Sequence, residues 1–384
     1  MTPNVPPLSK MEIILILMLL GMTFLAFYLF ESLPLSETKS ATNNDAKIIP
    51  DFAPGVSNAN SGTATSGKLF SGDKIRTYTG DNYFDQISDL EKIYEKYSGV
   101  KSQVNSSGSL QCDHWGVVTT IFEPSDAVRK QVGVPGWCLV VVGDRKGPLS
   151  YGIDAPLQNF VFLTAAQQEA MNNIFPVVKA LPWNHFGRKN VGYLYAILHG
   201  AKVIWDFDDD NIMIDKSFHA SLLGPTDSAT NTSFFSALEP ESYDSLVLNP
   251  YPIMGANVFP VWPRGFPLER IVSNSSSSSR PIPTSVVEVD SAAVGIIQSL
   301  ANHDPDVDAI YRLTMPLPFD FPRRGNTSPL MVPIGSYAPY NAQATLHKYS
   351  SLWSLLLPVT VHGRVSDIWR GYFAQVSLFI MESD

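Results

Sequence analysis

Apolar and polar residues are unevenly spread along this 384-residue chain, and the unevenness divides it into four stretches. Residues Ile13 to Phe30, "IILILMLLGMTFLAFYLF", run for eighteen positions without a charge. As a helix at about 1.5 Å per residue they reach roughly 27 Å, close to the thickness of a bilayer core. They lack the polar face of a helix on a soluble domain, and no small-x-small cleavage site follows them. The pattern predicts a cytosolic tail over 1–10 and an uncleaved signal anchor over 11–30. Residues 31–105 are poor in apolar side chains and rich in Ser, Asn, Thr, Gly and Pro, the composition of a largely disordered stem. Near its end, "FDQISDLEKIYEKY" (84–97) puts Ile87, Leu90, Ile93, Tyr94 and Tyr97 on one helical face, suited to packing on the domain or on a partner chain. Residues 106–384 carry the remaining apolar runs and are expected to fold.

Within that domain the first half alternates. "WGVVTTIF" (115–122) and "WCLVVVGD" (137–144) read as strands buried on both faces. Between them "EPSDAVRKQVG" reads as a helix with Ser125 as N-cap. "LTAAQQEAMNNI" reads as a helix capped by Thr164. "GRKNVGYLYAILHGAK" is a helix with Val191, Leu194, Tyr195 and Leu198 on one face, closed by Gly200. The strand "KVIWDF" follows. This order predicts parallel α/β units, whose ligands bind at the carboxyl ends of the strands. Asp144 ends the second strand and an acidic cluster ends the later one, so both are expected at one rim. The second half is less regular, with loop-like stretches at 223–247 and 273–285. Asp304, Asp306 and Asp308 read as a solvated loop entering a strand "AIYRL".

The later strand poses the chemical question. "VIWDFDDDN" (203–211) ends an apolar run in Asp206, Asp208, Asp209 and Asp210. Like charges this close repel, and their desolvation is costly unless a cation or fixed hydrogen bonds offset it. A D-x-D at a strand end holds Mn²⁺ or Mg²⁺ against a diphosphate in nucleotide-sugar transferases, because a hard cation takes oxygen ligands and leaves positions for phosphate. Asp208 and Asp210 are the metal candidates; Asp206, one residue too early, is expected to brace the strand. An EF-hand loop would need Gly at the sixth position and Glu at the twelfth, where Asn211 and Ser217 stand. An aspartyl-phosphate phosphatase would need Thr or Val where Asp210 stands. A solvated acidic turn is the remaining alternative. Arg188, Lys189 and Asn190 open the helix before the acidic strand, where a helix N-terminus attracts phosphate; ordinary surface charge is the other reading of them.

Charge and cysteines narrow the setting. A net charge of −9 and a pI near 5.3 argue against a nucleic-acid partner. Lys10 precedes the apolar span and Glu31 and Glu37 follow it, which puts the amino terminus in the cytosol. Sequons at Asn105, Asn231, Asn274 and Asn326 fit a luminal domain. The two cysteines, Cys112 and Cys138, each open a strand-like run. If those strands are parallel neighbours the sulfurs can bridge in an oxidising lumen; two buried thiols are the alternative.

The segments "GRKNVGYLYAILHGAKVIWDFDDDN", "NPY…WPRGFPL", "DPDVDAIYRLT", "PYNAQATLH" and "LLLPVTVHGRVSDIWRGY" together resemble the STELLO-like family of Golgi-anchored, glycosyltransferase-like proteins, associated in plants with cellulose synthase assembly. The likeness runs from about residue 112 to 375, and a more distant one links the chain to the UDP-arabinopyranose mutase, or reversibly glycosylated protein, family. The resemblance implies a GT-A-like, Rossmann-like α/β domain with a mostly parallel sheet, a UDP-sugar donor, a divalent metal and a glycan or polysaccharide acceptor. It implies a single-pass type II protein of the Golgi membrane. On that reading Asp208 sits near ribose or metal, Asp210 is the direct metal ligand, Asp144 faces base or ribose, and Arg364 and Arg370 meet phosphates. Asp367 is the candidate general base of an inverting enzyme, a helix N-terminal charge being the other reading. His347 and His362 are weaker metal candidates, and Trp262, Arg264 and Phe266 are candidates for the acceptor side. The chain stops at "QVSLFIMESD", where the family pattern leads one to expect more domain. A non-catalytic assembly factor for a polysaccharide synthase, with a vestigial pocket, is the alternative function.

Overall fold

The parallel α/β units predicted from the alternating pattern form one sheet. The computed structural model describes residues 110–153, 159–214, 232–237, 247–271, 285–290, 293–322, 329–332 and 335–382, all in one compact unit. The segments 11–30 and 84–97 and the four sequons lie outside these residues. Among the described residues no helix is long and apolar enough to cross a membrane.

Six strands are named in chain order as β1 (His114–Thr119), β2 (Cys138–Val142), β3 (Phe160–Leu163), β4 (Val203–Phe207), β7 (Ile296–Gln298) and β8 (Ala344–Lys348); β5 (Thr232–Ala237) and β6 (Ser285–Asp290) pair separately as an antiparallel ribbon. The sheet order is β3-β2-β1-β4-β8-β7. The first four strands are parallel, and β8 and β7 close the sheet antiparallel. Side chains alternate between faces, and both faces are covered, which is why these strands read as unbroken apolar runs. Trp115, Val117, Val140 and Ile204 pack on one side, and Val118, Leu139, Val141, Trp205 and Phe207 on the other.

Two short helices are capped as their sequences suggest. In α1 (Asp126–Val132) Ser125 Oγ accepts from Val128 N, and in α2 (Ala165–Ala170) Thr164 and Gln167 form a capping box. A single turn, α3 (Val177–Ala180), leads to α4 (Lys189–Leu198), which ends at Gly200 with φ +91°. Gly192 lets α4 lie against the sheet: a Cβ there would come within 2.6 Å of Val117 and 2.8 Å of Val142. That close approach sets the first residue of α4 against the end of β4.

The second half departs from the pattern. "AIYRL" is not a strand but lies in a helix, α6 (Ala309–Thr314), after a short α5 (Pro250–Ile253). Asp308 Oδ1 accepts from Tyr311 N and starts α6. Its neighbour Asp306 is largely covered and paired with Arg264 rather than solvated, its side chain 15% exposed. A separate cluster of Tyr251, Val261, Trp262, Phe266, Tyr311 and Phe319 accounts for the aromatic and proline density there. The final helix, α7 (Gly363–Glu382), returns toward the sheet. Cys112 and Cys138 form a disulfide with Cα atoms 6.1 Å apart; Cys138 opens β2 in register with Trp115, and Cys112 lies just before β1 at the same end of this parallel pair.

Candidate functional site

Strand β4 delivers its carboxylates in two different environments. Asp206 lies on the face of the sheet that carries Ile204 and α4, and it is fully buried. Lys189 Nζ lies 2.6 Å from Asp206 Oδ1, and Arg370 Nη1 of α7 lies 2.9 Å from Oδ2, all three side chains having no exposure. Burial alone would lower the Lys189 and Arg370 pKa values, yet Asp206 and its neighbours hold both above their ordinary values. Asp206 is therefore the brace expected of it, and Arg370, a candidate for meeting phosphate, is turned into the core.

Asp208, two residues on, reaches the rim. Its side chain is 36% exposed, and Oδ1 is 3.2 Å from Lys189 Nζ. Desolvation raises its pKa to about 6, with Asp206 and Asp210 adding repulsion and Lys189 opposing. Asp210 is exposed, and desolvation and Asp209 raise its pKa. Asp209, for which the sequence suggested no role, ties the loop down: its carboxylate accepts from Thr120 Oγ1 and its main-chain oxygen from Ser125 Oγ. The same serine that caps α1 thus holds the acidic loop.

The other predicted residues are distributed as follows. Asp144 is buried, and its carboxylate accepts from Asn184 N at 3.0 and 2.9 Å and from Arg145 N at 2.6 Å. Arg188 is buried and donates to Gln168 Oε1 and to the main-chain oxygens of Val178 and Leu181. Asn190 makes a reciprocal pair with the main chain of Leu357. The opening of α4 therefore faces protein, and of its three polar residues Lys189 alone touches the acidic loop. Arg364 is exposed, and it makes no side-chain ion pair among the described residues. His347 is fully buried beside Ser354 in β8, while His362 Nδ1 accepts from Arg364 N at the start of α7.

Asp367 is committed too. Arg264 Nη1 and Nη2 donate to its two oxygens at 2.9 and 2.7 Å, and Ala342 N donates at 3.2 Å. Burial alone would raise its pKa, but the hydrogen bonds and charge of Arg264, and then Arg370, hold it below the usual carboxylate range. A carboxylate so held is a weak base at neutral pH. Arg264 also grips Asp306, with Nε to Oδ1 at 2.7 Å and Nη2 to Oδ2 at 2.9 Å. One guanidinium thus joins "WPRGFPL", "DPDVD" and "RVSDIW". The segment "PYNAQ" joins this bracket to the Asp206 cluster. Asn341 Nδ2 donates to Asp306, the main-chain oxygen of Asn341 accepts from Arg370, and that of Ala342 accepts from Lys189. Five motifs distant in sequence form one buried charge network, a role that single-residue reading misses because each acid looks like a surface charge.

A cleft opens beside this network, lined by Tyr251, Arg264, Gln298, Tyr340, Asn341 and Gln343. Asp208 N donates to Gln343 O, so the cleft borders the acidic loop. Trp262 lies behind it, buried against Tyr311 with Nε1 on Asp308. Among the described residues no three His, Cys, Asp or Glu side chains converge as a metal cage.

A six-stranded, mostly parallel sheet with paired carboxylates at its rim fits a GT-A-like domain. No family model matches the chain. Over 283 residues it is 32% identical to "Probable glycosyltransferase STELLO2" of Arabidopsis thaliana, covering 72% of this chain and 35% of that protein. Against "Probable glycosyltransferase STELLO1" of the same plant it is 31% identical over 283 residues, 72% of this chain and 34% of that protein. The chain is STELLO-like over this segment, as its motifs led one to expect, and it spans about a third of the length of these relatives.

Proposed function

We propose that the chain acts in glycosyl transfer, moving a sugar from a UDP-sugar donor to a glycan or polysaccharide acceptor at the rim beyond β4. Asp208 and Asp210 would hold Mn²⁺ or Mg²⁺, and residues 11–30 would anchor the domain on the luminal side of the Golgi membrane as a type II protein. One observation carries the reading: Asp206 is neutralised inside the core, whereas Asp208 and Asp210 stand at the rim with raised pKa values. The donor set fits the ion. Mg²⁺-like cations are held by one or two carboxylates with water and substrate phosphates completing the shell, so a full protein cage is not needed. When bound, such a cation neutralises charge on the leaving diphosphate. Lys189 fixes the Asp208 carboxylate, Thr120 and Ser125 fix the loop that carries Asp210, and Arg264 holds the cleft wall. Of the four cations expected to meet phosphate, Arg188, Lys189 and Arg370 are buried and Arg364 is exposed, so Arg364 would be the one to reach a phosphate. The printed names of the relatives support a transferase.

The locked state of Asp367 favours a second reading, a non-catalytic assembly factor that recruits a polysaccharide synthase through its surface. A panel of UDP-sugars incubated with the purified full chain, with and without Mn²⁺, separates the two. Mn²⁺-dependent release of UDP from at least one donor, lost in Asp210→Ala, supports transfer. No release from any donor contradicts it.

A further inference from the structure

Near the carboxyl end of β2, where Asp144 turns its carboxylate inward, two guanidinium groups lie over the ring of Trp183. Arg188 stacks on the ring with Cζ 3.8 Å from its centroid, and Arg145 lies over the ring at 4.4 Å. The two cations are held very differently. Arg188 is buried and fixed by Gln168 and the main-chain oxygens of Val178 and Leu181. Arg145 is 55% exposed and, among the described residues, pairs at 2.7 Å with Glu169, itself 52% exposed. Exposed pairs of this kind contribute about 0–1 kcal/mol, and an exposed cation–π contact about as much. One cation is thus part of the core, and the other is a removable cover on an aromatic surface.

We propose that Trp183 is a stacking platform for the nucleobase of the donor, covered by Arg145 until the base displaces it; this rests on the nucleotide-sugar reading above. Two features support it. First, the platform is rigid. Asn184 adopts φ +53° and donates its N–H to Asp144, which also accepts from Arg145 N, so one carboxylate orders the main chain on both sides of the stack. Second, the spacing is right. The end of β2 and the end of β4 are separated by β1 alone, two strand steps or roughly 10 Å. That is comparable with the reach from a pyrimidine ring through ribose to a diphosphate. A base on Trp183 would place its phosphates toward Asp208 and Asp210.

The test titrates UDP and, separately, pyrophosphate into the full chain with Mn²⁺ present. Trp183→Ala is expected to weaken UDP roughly 5- to 100-fold, the range of one base–aromatic stack, and to leave pyrophosphate unchanged. Trp183→Phe should recover most of the UDP affinity, which also guards against misfolding of the alanine variant. Arg145→Ala should bind UDP as well as the unaltered chain or up to about 5-fold more tightly. UDP binding by the unaltered chain that survives Trp183→Ala overturns the platform while leaving the donor reading intact. Weaker UDP binding in Arg145→Ala overturns the cover. Absence of UDP binding by the unaltered chain overturns both the donor reading and the platform.

Discussion

Asp206 and Asp208 are two residues apart, chemically identical, and predicted to fail in opposite ways. Replacing Asp206 by Asn keeps the shape of a side chain with no exposure and removes its charge. Lys189 and Arg370, also without exposure, then lose their shared partner, with the partly exposed Asp208 beside Lys189 and Asp367 acting on Arg370 from further off. Breaking a buried pair by removing one partner costs about 3–5 kcal/mol, because the desolvated charge that remains has nothing to offset it. For a domain of this size each kcal/mol is worth about 2–4 °C in melting temperature, which puts the expected drop at roughly 6–20 °C. Asp208→Asn removes a carboxylate whose pKa is raised to about 6, a group under strain when ionised, so it is expected to leave the melting temperature within a few degrees. The assay is thermal unfolding of both variants at neutral pH, followed by circular dichroism. An Asp206→Asn variant as stable as the unaltered chain would refute the division between a structural and a functional carboxylate.

Three further outcomes follow from the same network and its surroundings. Arg264→Met leaves Asp306 and Asp367 without their shared partner and should cost about 3–5 kcal/mol in denaturant unfolding; Arg264→Lys, which cannot span both carboxylates, should recover only part of this. His347 is buried with its pKa well below 6.5, by desolvation first and Arg370 second. Below pH 6.5 the unfolded chain therefore takes up a proton that the native state refuses. Stability from this residue should fall by up to about 1.4 kcal/mol per pH unit as pH drops. Comparing urea midpoints at pH 7.5 and 5.5 for the unaltered chain and His347→Gln checks it, the variant being the flatter. Replacing Cys112 and Cys138 by Ser opens a loop of sequence separation 26 and should lower stability by about 3–4 kcal/mol; an unchanged denaturation midpoint would count against the bridge.

The first half of the domain was legible because its signals are local. Apolar runs fixed β1, β2 and β4, Ser125 and Thr164 marked helix starts, and Gly200 marked an end. The second half was not, because its stabilising contacts span long sequence distances. Asp306 read as solvated since nothing near it in sequence shows that Arg264, 42 residues earlier, would grip it. "AIYRL" carries strand-like residues but follows Asp308, whose side chain caps Tyr311 N and starts a helix instead. In the site, Asp206 was separable from Asp208 because it lies inside the apolar strand rather than past its end. Arg188, Asn190 and Arg370 were not separable from phosphate ligands, because burial of a cation depends on partners in other elements. Trp183 gave no signal at all, since its two guanidinium neighbours are ordinary residues in the sequence.

The most direct test of the account is calorimetric titration of UDP into the full chain with Mn²⁺, repeated with Asp208→Asn and Asp210→Asn. The account predicts Mn²⁺-dependent UDP binding by the unaltered chain and its loss in both variants, each with unfolding behaviour close to that of the unaltered protein. UDP bound equally well without Mn²⁺, or with either carboxylate removed, would contradict it.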